Sequence, residues 1–211
     1  MSNNYELSTE TENFNGIVCY RVRAIRNIPG LGIFKGDLGG WVQSLDNVED
    51  NAVIVGNARA TGNAVVKDNA VIQDDVIVRG NAVVKEESMI SKSAIIDDDA
   101  VISGHAYISD NVLIENNAEV GEYAVVLNDV KIRGHACVNG NVFISQEGMI
   151  LDGDTVINEY EDILVNEVKT TEMYLVYETE DGQRHFLHWE DSDGATINGG
   201  VLIGWTMKPK N

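Results

Sequence analysis

The chain has 211 residues, with 34 acidic against 15 basic side chains and a formal net charge of −19. That balance argues against a nucleic-acid binder working by phosphate neutralisation and against adhesion to an anionic membrane. Apolar residues make up 44%, no run of about 18 apolar residues occurs, and the polar, acidic opening is no signal peptide, so a membrane role is not expected.

Residues 1–50 read as a capping segment. Residues 16–28, GIVCYRVRAIRNI, alternate well enough for a strand or hairpin arm. Residues 30–42, GLGIFKGDLGGWV, are glycine-rich, which points to tight turns, with Phe34 and Trp41 expected to plug an open end and Asp37 read as a turn residue. Cys19 here and Cys137 further on make neither a disulfide framework nor a zinc cluster, so a reducing, cytoplasmic location is expected.

From Asn51 the chain reads in sixes: NAVIVG, NARATG, NAVVKD, NAVIQD, and so on to GDTVIN ending at Asn158. Residues 51–158 make 18 hexapeptides, read here with no insertion. The fourth position is Ile or Val in 17 of them, with Ala60 the exception, so it forms a column that must face one environment. In extended chain the second and fourth positions point one way and the third and fifth the other, while Asn, Asp and Gly at positions six and one supply turn chemistry. Each hexapeptide is therefore one short strand and one corner. Three of them close a triangular coil of 18 residues, and six coils stack to about 29 Å at a spacing of about 4.8 Å.

This pattern resembles the hexapeptide-repeat, left-handed parallel β-helix family, the superfamily of trimeric acyltransferases. Ile72 with Val76, Ile102 with Ala106 and Ile132 with Ala136 carry its aliphatic and small positions. The resemblance implies an all-β fold and a three-fold axis. The GDLGGW motif at residues 36–41, just ahead of an array, further resembles small proteins of bacteriophages and prophages.

Positions 18 apart share a face. The first face presents Val53, Val71, Met89, Tyr107, Val125 and Phe143 at third positions and Val55, Gln73, Ser91, Ser109, Leu127 and Ser145 at fifth positions. None of these twelve is charged, in a chain with 49 charged side chains. The other two faces are mixed, with Met149, Leu151, Thr155 and Ile157 among their expected outward residues. A contiguous uncharged face on a solenoid is an interaction surface. Val53, Val55, Val71, Met89, Tyr107, Val125, Leu127 and Phe143 are the expected subunit interface of a homotrimer, and a covering segment of the same chain is the competing expectation. Stacked amides at Asn51 and Asn69, and at Asn63 and Asn81, are expected to bond from coil to coil.

Residues 159–211 break the repeat. Residues 173–177 (MYLVY) and 183–189 (QRHFLHW) flank Glu180-Asp181-Gly182, a hairpin signal, and residues 201–205 form another apolar run, so a small β-rich C-terminal domain is expected.

The family's enzymes place a histidine as general base near a loop that leaves the coil. Here His105 and His135 occupy corner positions, on different corners. His105 borders the uncharged face, Tyr123 lies one coil above it and Lys92 stands at the next corner; these three are the candidate intersubunit ligand site, with His105 the candidate catalytic residue. A zinc site of the three-histidine type fails for want of histidines, and His185 and His188, three apart on one strand, are expected on opposite faces. Residues 97–99 (DDD) and 152–154 (DGD) read as solvated acidic turns in preference to calcium ligands. No cofactor or metal is expected. The expectation is a non-enzymatic trimeric binding or scaffold protein of phage type that sequesters a host defence protein or a small signalling molecule such as a nucleotide. The competing expectation is an acyl-coenzyme A-dependent acyltransferase.

Overall fold

A computed structural model describes residues 4–28 and 32–158 and, beyond them, the backbone of three strands. The chain divides into two compact units, Met1–Ile163 and Leu164–Asn211. Among the described residues there is no α-helix, and none long and apolar enough to cross a membrane.

The first unit opens with strands β1 (Tyr5–Phe14) and β2 (Ile17–Ala24), an antiparallel hairpin. Asn15 and Gly16 join them, both at positive φ (51° and 86°), the backbone that a two-residue hairpin turn requires. Strand β3 (Leu38–Val42) pairs antiparallel with β2 on one side. On its other side it pairs in parallel with the array, Trp41 opposite Arg59 and Val42 opposite Ala60. A further parallel bridge joins Val48 to Val66. The 18-residue register thus reaches back into residues 39–50.

Strands β4 (Val53–Ile54) to β21 (Val156–Ile157) follow, each two residues long and each separated from the next by a corner. Pairing runs every 18 residues, as in Val53 with Val71, Arg59 with Ile77 and Val65 with Val83. The result is an all-β parallel β-helix of about six coils with three parallel sheets as its faces. Its core is the stacked second and fourth positions: Ile54, Ile72, Ile90, Ile108 and their neighbours are fully buried. Burial of each such side chain stabilises by about 1.5–3 kcal/mol before chain entropy is counted. Ser88, polar at a second position, is also fully buried and donates its hydroxyl to the Lys85 carbonyl at 2.8 Å.

The hexapeptide frame fails in the last coil. Val126 still pairs with Ile144, 18 residues on, but Lys131 pairs with Ile150 and Cys137 with Val156, 19 residues on. One extra residue is accommodated between Ile144 and Ile150. A one-residue slip reverses every side chain that follows. Ile150 and Val156, expected inside, are 52% and 56% exposed, whereas Leu151 and Ile157, expected outside, are each 8% exposed. The physical reason is that the slip brings two apolar residues to the inner column in place of two others, so the core loses little.

The cap also differs from expectation. Phe34 is 63% exposed, and Trp41 points outward on the second face beneath the Arg21 guanidinium, 5.2 Å from its ring centroid. Tyr5, Val22 and Ala24 join the buried core in their place. Burial pushes the Tyr5 hydroxyl up to about 12, against a smaller opposing effect of the Ile54 backbone. Gly39 and Gly40 explain the GDLGGW motif: a Cβ on Gly39 would lie 2.5 Å from the Ile54 carbonyl oxygen, and one on Gly40 2.5 Å from that of Ala58. Asp37 is a turn residue, its carboxylate accepting from the Phe34 backbone N–H at 2.8 Å.

The corners are tied from coil to coil. Asn51 donates its amide to Asn69, and Asn63 to Asn81, which in turn donates to Asp99. Sixth-position carboxylates accept from the backbone N–H one coil above: Asp68 from Glu86, Asp74 from Lys92, Glu86 from Gly104.

In the second unit the described residues form a three-stranded antiparallel sheet. Strand β22 (Thr171–Thr179) lies between β23 (Arg184–His188) and β24 (Gly200–Pro209). The expected hairpin is the β22–β23 pair, with Tyr177 opposite His185 and Tyr174 opposite His188. The turn between them and the side-chain directions of the two histidines lie outside the described residues.

Candidate interaction face and corner site

The first face is the six-stranded sheet that ends at Val53–Ile54 and at Phe143–Ile144. It is built as the period requires, with its inner residues in the core and its third and fifth positions outward. It does not expose all of them. Val53 is 1% exposed and Val71 9%, so both are buried within the chain itself. Ile33 and Leu38 of the cap line a small pocket with Val55, Tyr5, Asp37 and Gly39, so the cap closes over part of this end of the face. The open part is Met89, 38% exposed, with Tyr107, Val125, Leu127 and Phe143 half-buried. Ser91 and Ser109 are both buried, and the Ser91 hydroxyl donates to Ser109 at 2.9 Å, which satisfies a polar pair without bringing charge to the sheet.

The second face is the contrast. Arg59 pairs with Glu12 of β1 at 2.6 Å, Arg79 with Asp97 at 2.6 Å and Arg133 with Asp152 at 2.8 Å. The last two are one motif repeated. Asp97 and Asp152 each also accept from the next backbone N–H, of Asp98 at 2.8 Å and of Gly153 at 2.7 Å. Burial would raise the Asp97 carboxyl, but the Arg79 and Asp98 hydrogen bonds outweigh it and hold it below the usual carboxylate range. Asp152 is held low by the Gly153 N–H and Arg133. Asp98 accepts from Asn116, and Asp99 from Asn81. The acidic turns are thus engaged by protein donors, and no cluster of three potential metal ligands forms among the described residues.

At the corner that leads into the first face, His105 and Tyr123 are brought together. Their rings stack with centroids 4.8 Å apart and planes 9° from parallel. Below them, Glu87 places a carboxylate oxygen 3.2 Å from His105 Nδ1. The three residues are first positions of successive coils, all exposed. The contact sets the ring against a carboxylate on one side and the Tyr123 ring on the other. Lys92 is not part of this group: it follows the Met89–Ile90 rung and stands at the opposite edge of the face. His135 lies on another corner, its N–H bonded to the Gly153 carbonyl. Burial raises the thiols of Cys19, which is fully buried, and of Cys137, half-buried with the Asn139 amide donating to its sulfur at 3.1 Å.

Three features lay beyond the sequence reading. The Asn15-Gly16 pair between two alternating runs is a hairpin signal that was there to be used. The slip after Ile144 and the plugging role of Tyr5 had no local signature.

These features define the chain as a capped parallel β-helix with one uncharged face, one ion-paired face, and a histidine-bearing corner between coils. In comparison with known proteins, no family model matches the chain and no curated protein is similar to it.

Proposed function

We propose that the chain is a non-enzymatic binding or scaffold protein that assembles as a homotrimer through the uncharged face. Its resemblance to phage and prophage proteins with the GDLGGW motif suggests a role in sequestering a host defence protein or a small signalling molecule. The observation that carries the assembly is the run Met89, Tyr107, Val125, Leu127 and Phe143, apolar and free of charge beside a sheet laced with ion pairs. Closed cyclic symmetry buries such a surface once per subunit. The binding role is favoured by corners that leave the coil nowhere with a long loop: the insertion near Gln146 is a single residue.

The second reading, an acyltransferase, rests on the oriented imidazole of His105 between Glu87 and Tyr123. One set of measurements separates the two. Molar mass in solution is expected to be three chains at micromolar concentration and to fall toward one after Tyr107→Asp with Phe143→Asp. A monomeric wild type overturns the assembly. Capture from bacterial lysate with mass spectrometry of proteins and small molecules is expected to return a bound species. Thermal stabilisation by acetyl-coenzyme A that His105→Ala abolishes would instead favour the enzyme.

A further inference from the structure

The two vertical edges of the uncharged face carry a pattern that names its partner. Each first-face hexapeptide begins at one edge with its first position and ends at the other edge with its sixth. Both residues lie in the same coil, differing in height by about a third of the 4.8 Å coil spacing. A symmetry axis parallel to the solenoid preserves height. It therefore sets the first-position edge of one copy against the sixth-position edge of the next, coil by coil. Read this way, the rungs match Asn69 to Asp74, Glu87 to Lys92 and His105 to Asp110, and the other three match neutral residues. No rung sets like charges together.

Lys92 makes the pattern specific. Among the 36 first and sixth positions of the array it is the one lysine or arginine, in a chain whose corners otherwise collect acids. It adopts positive φ, 63°, where glycine, asparagine and aspartate are the usual occupants. Among the described residues its ammonium forms no ion pair, although its own corner column carries Asp74 one coil below and Asp110 one coil above. Those carboxylates accept from backbone N–H groups, of Lys92 itself and of Asn128. Glu87, at the other end of the same hexapeptide, is exposed and carries a carboxylate only partly engaged by His105. The corresponding ends of the second and third faces hold no lysine or arginine at all.

We infer that the first face seats a second copy of this chain about an axis parallel to the solenoid, with Glu87 of one copy paired to Lys92 of the next. This rests on the trimer reading and sharpens it by fixing the direction and register of the interface. The hydrophobic rungs give the contact its affinity. The edge pair gives it alignment, because a copy displaced by one coil would set Lys92 against Asn69 or His105 instead of Glu87.

The test is a charge exchange in the full chain, read as the concentration at which the assembly dissociates, by sedimentation or mass photometry in low salt. Glu87→Lys and Lys92→Glu are each expected to weaken assembly about tenfold, and the double exchange to return it to within about threefold of wild type. Glutamate is compatible with the backbone at position 92, since Glu86 and Glu122 hold the same positive φ at equivalent corners. Unfolding of each dilute variant reports any loss within the subunit. The double exchange still lacks the Glu87–His105 contact and still crowds the Asp74–Asp110 column, so recovery has to come from pairing between copies. A trimeric wild type whose double variant stays as weak as the weaker single overturns the pairing alone, as do single variants without effect. A monomeric wild type overturns the trimer reading and this inference with it.

Discussion

The first and second faces of the β-helix share one backbone and one core, and differ in the charge of their outward positions. Under both, the second and fourth residues of each hexapeptide stack into the same buried columns. Above them, the second face spends fifth positions on the Arg79–Asp97 and Arg133–Asp152 pairs, with Ile77, Ile95 and Leu113 at third positions, and the first carries Met89, Tyr107, Phe143 and a serine pair. The inner positions and corners therefore specify the fold. The outward positions are left for solvent on one sheet and, in our reading, for another subunit on the other.

If the two faces rest on one core, truncations beneath them should cost the same. Ile108, under the first face, and Ile96, under the second, are both fully buried. Ile108→Ala and Ile96→Ala should each lower unfolding free energy by about 2–5 kcal/mol, measured by denaturant titration under conditions that keep the chain monomeric. A gap between them of more than about 2 kcal/mol would show that one face is supported differently.

The slip sharpens the contrast at the end of the second face. The uninterrupted frame places Ile150 inside and Leu151 outside, and the structure reverses them. Leu151→Ala should cost about 2 kcal/mol, toward the low end for a buried leucine because it lies in the last coil. Ile150→Ala should stay within about 0.5 kcal/mol. Thermal melts of the two variants decide between the frames, and the opposite ranking would restore the uninterrupted one.

These residues also show what the sequence could reveal. The period of six dictates the coil because a strand–corner unit buries the same positions each time, and that information is repeated 18 times over. The uncharged face was legible for the same reason: twelve outward positions can be enumerated once the period is known. The extra residue near Gln146 was not, since MILD and TVIN offer apolar residues in either frame. The burial of Val53 and Val71 was not either, because it depends on a cap whose path is set by contacts far apart in sequence, Gly39 and Gly40 against the first coil among them. At the corner, the spacing of 18 placed His105 and Tyr123 in one column, whereas Glu87 one coil below was not singled out and Lys92, expected with them, stands at the opposite edge. The ring stack and the Nδ1 contact depend on rotamers that the spacing leaves open.

The smallest effect separates the faces by acid. The open rungs of the first face contribute no carboxylate, whereas the second carries Asp97, mostly shielded and bonded to Arg79 and to the Asp98 N–H. Its carboxyl titrates below the ordinary value of 3.8 in the folded chain. A group lowered in this way contributes stability that is fully present above its unfolded value, near pH 4, and is lost as pH falls through the folded one. The pair is partly exposed on the arginine side, so the contribution is about 0.5–1 kcal/mol at neutral pH. Asp97→Asn should remove that much at pH 7 and make the further loss of stability below pH 4 correspondingly shallower, whereas Ser109→Ala on the first face should leave the slope unchanged. Parallel pH series of urea unfolding for the two variants test this. Equal slopes for wild type and Asp97→Asn would mean that the Arg79 pair adds nothing to the second face, and that the division of labour between the faces lies in their hydrophobic residues alone.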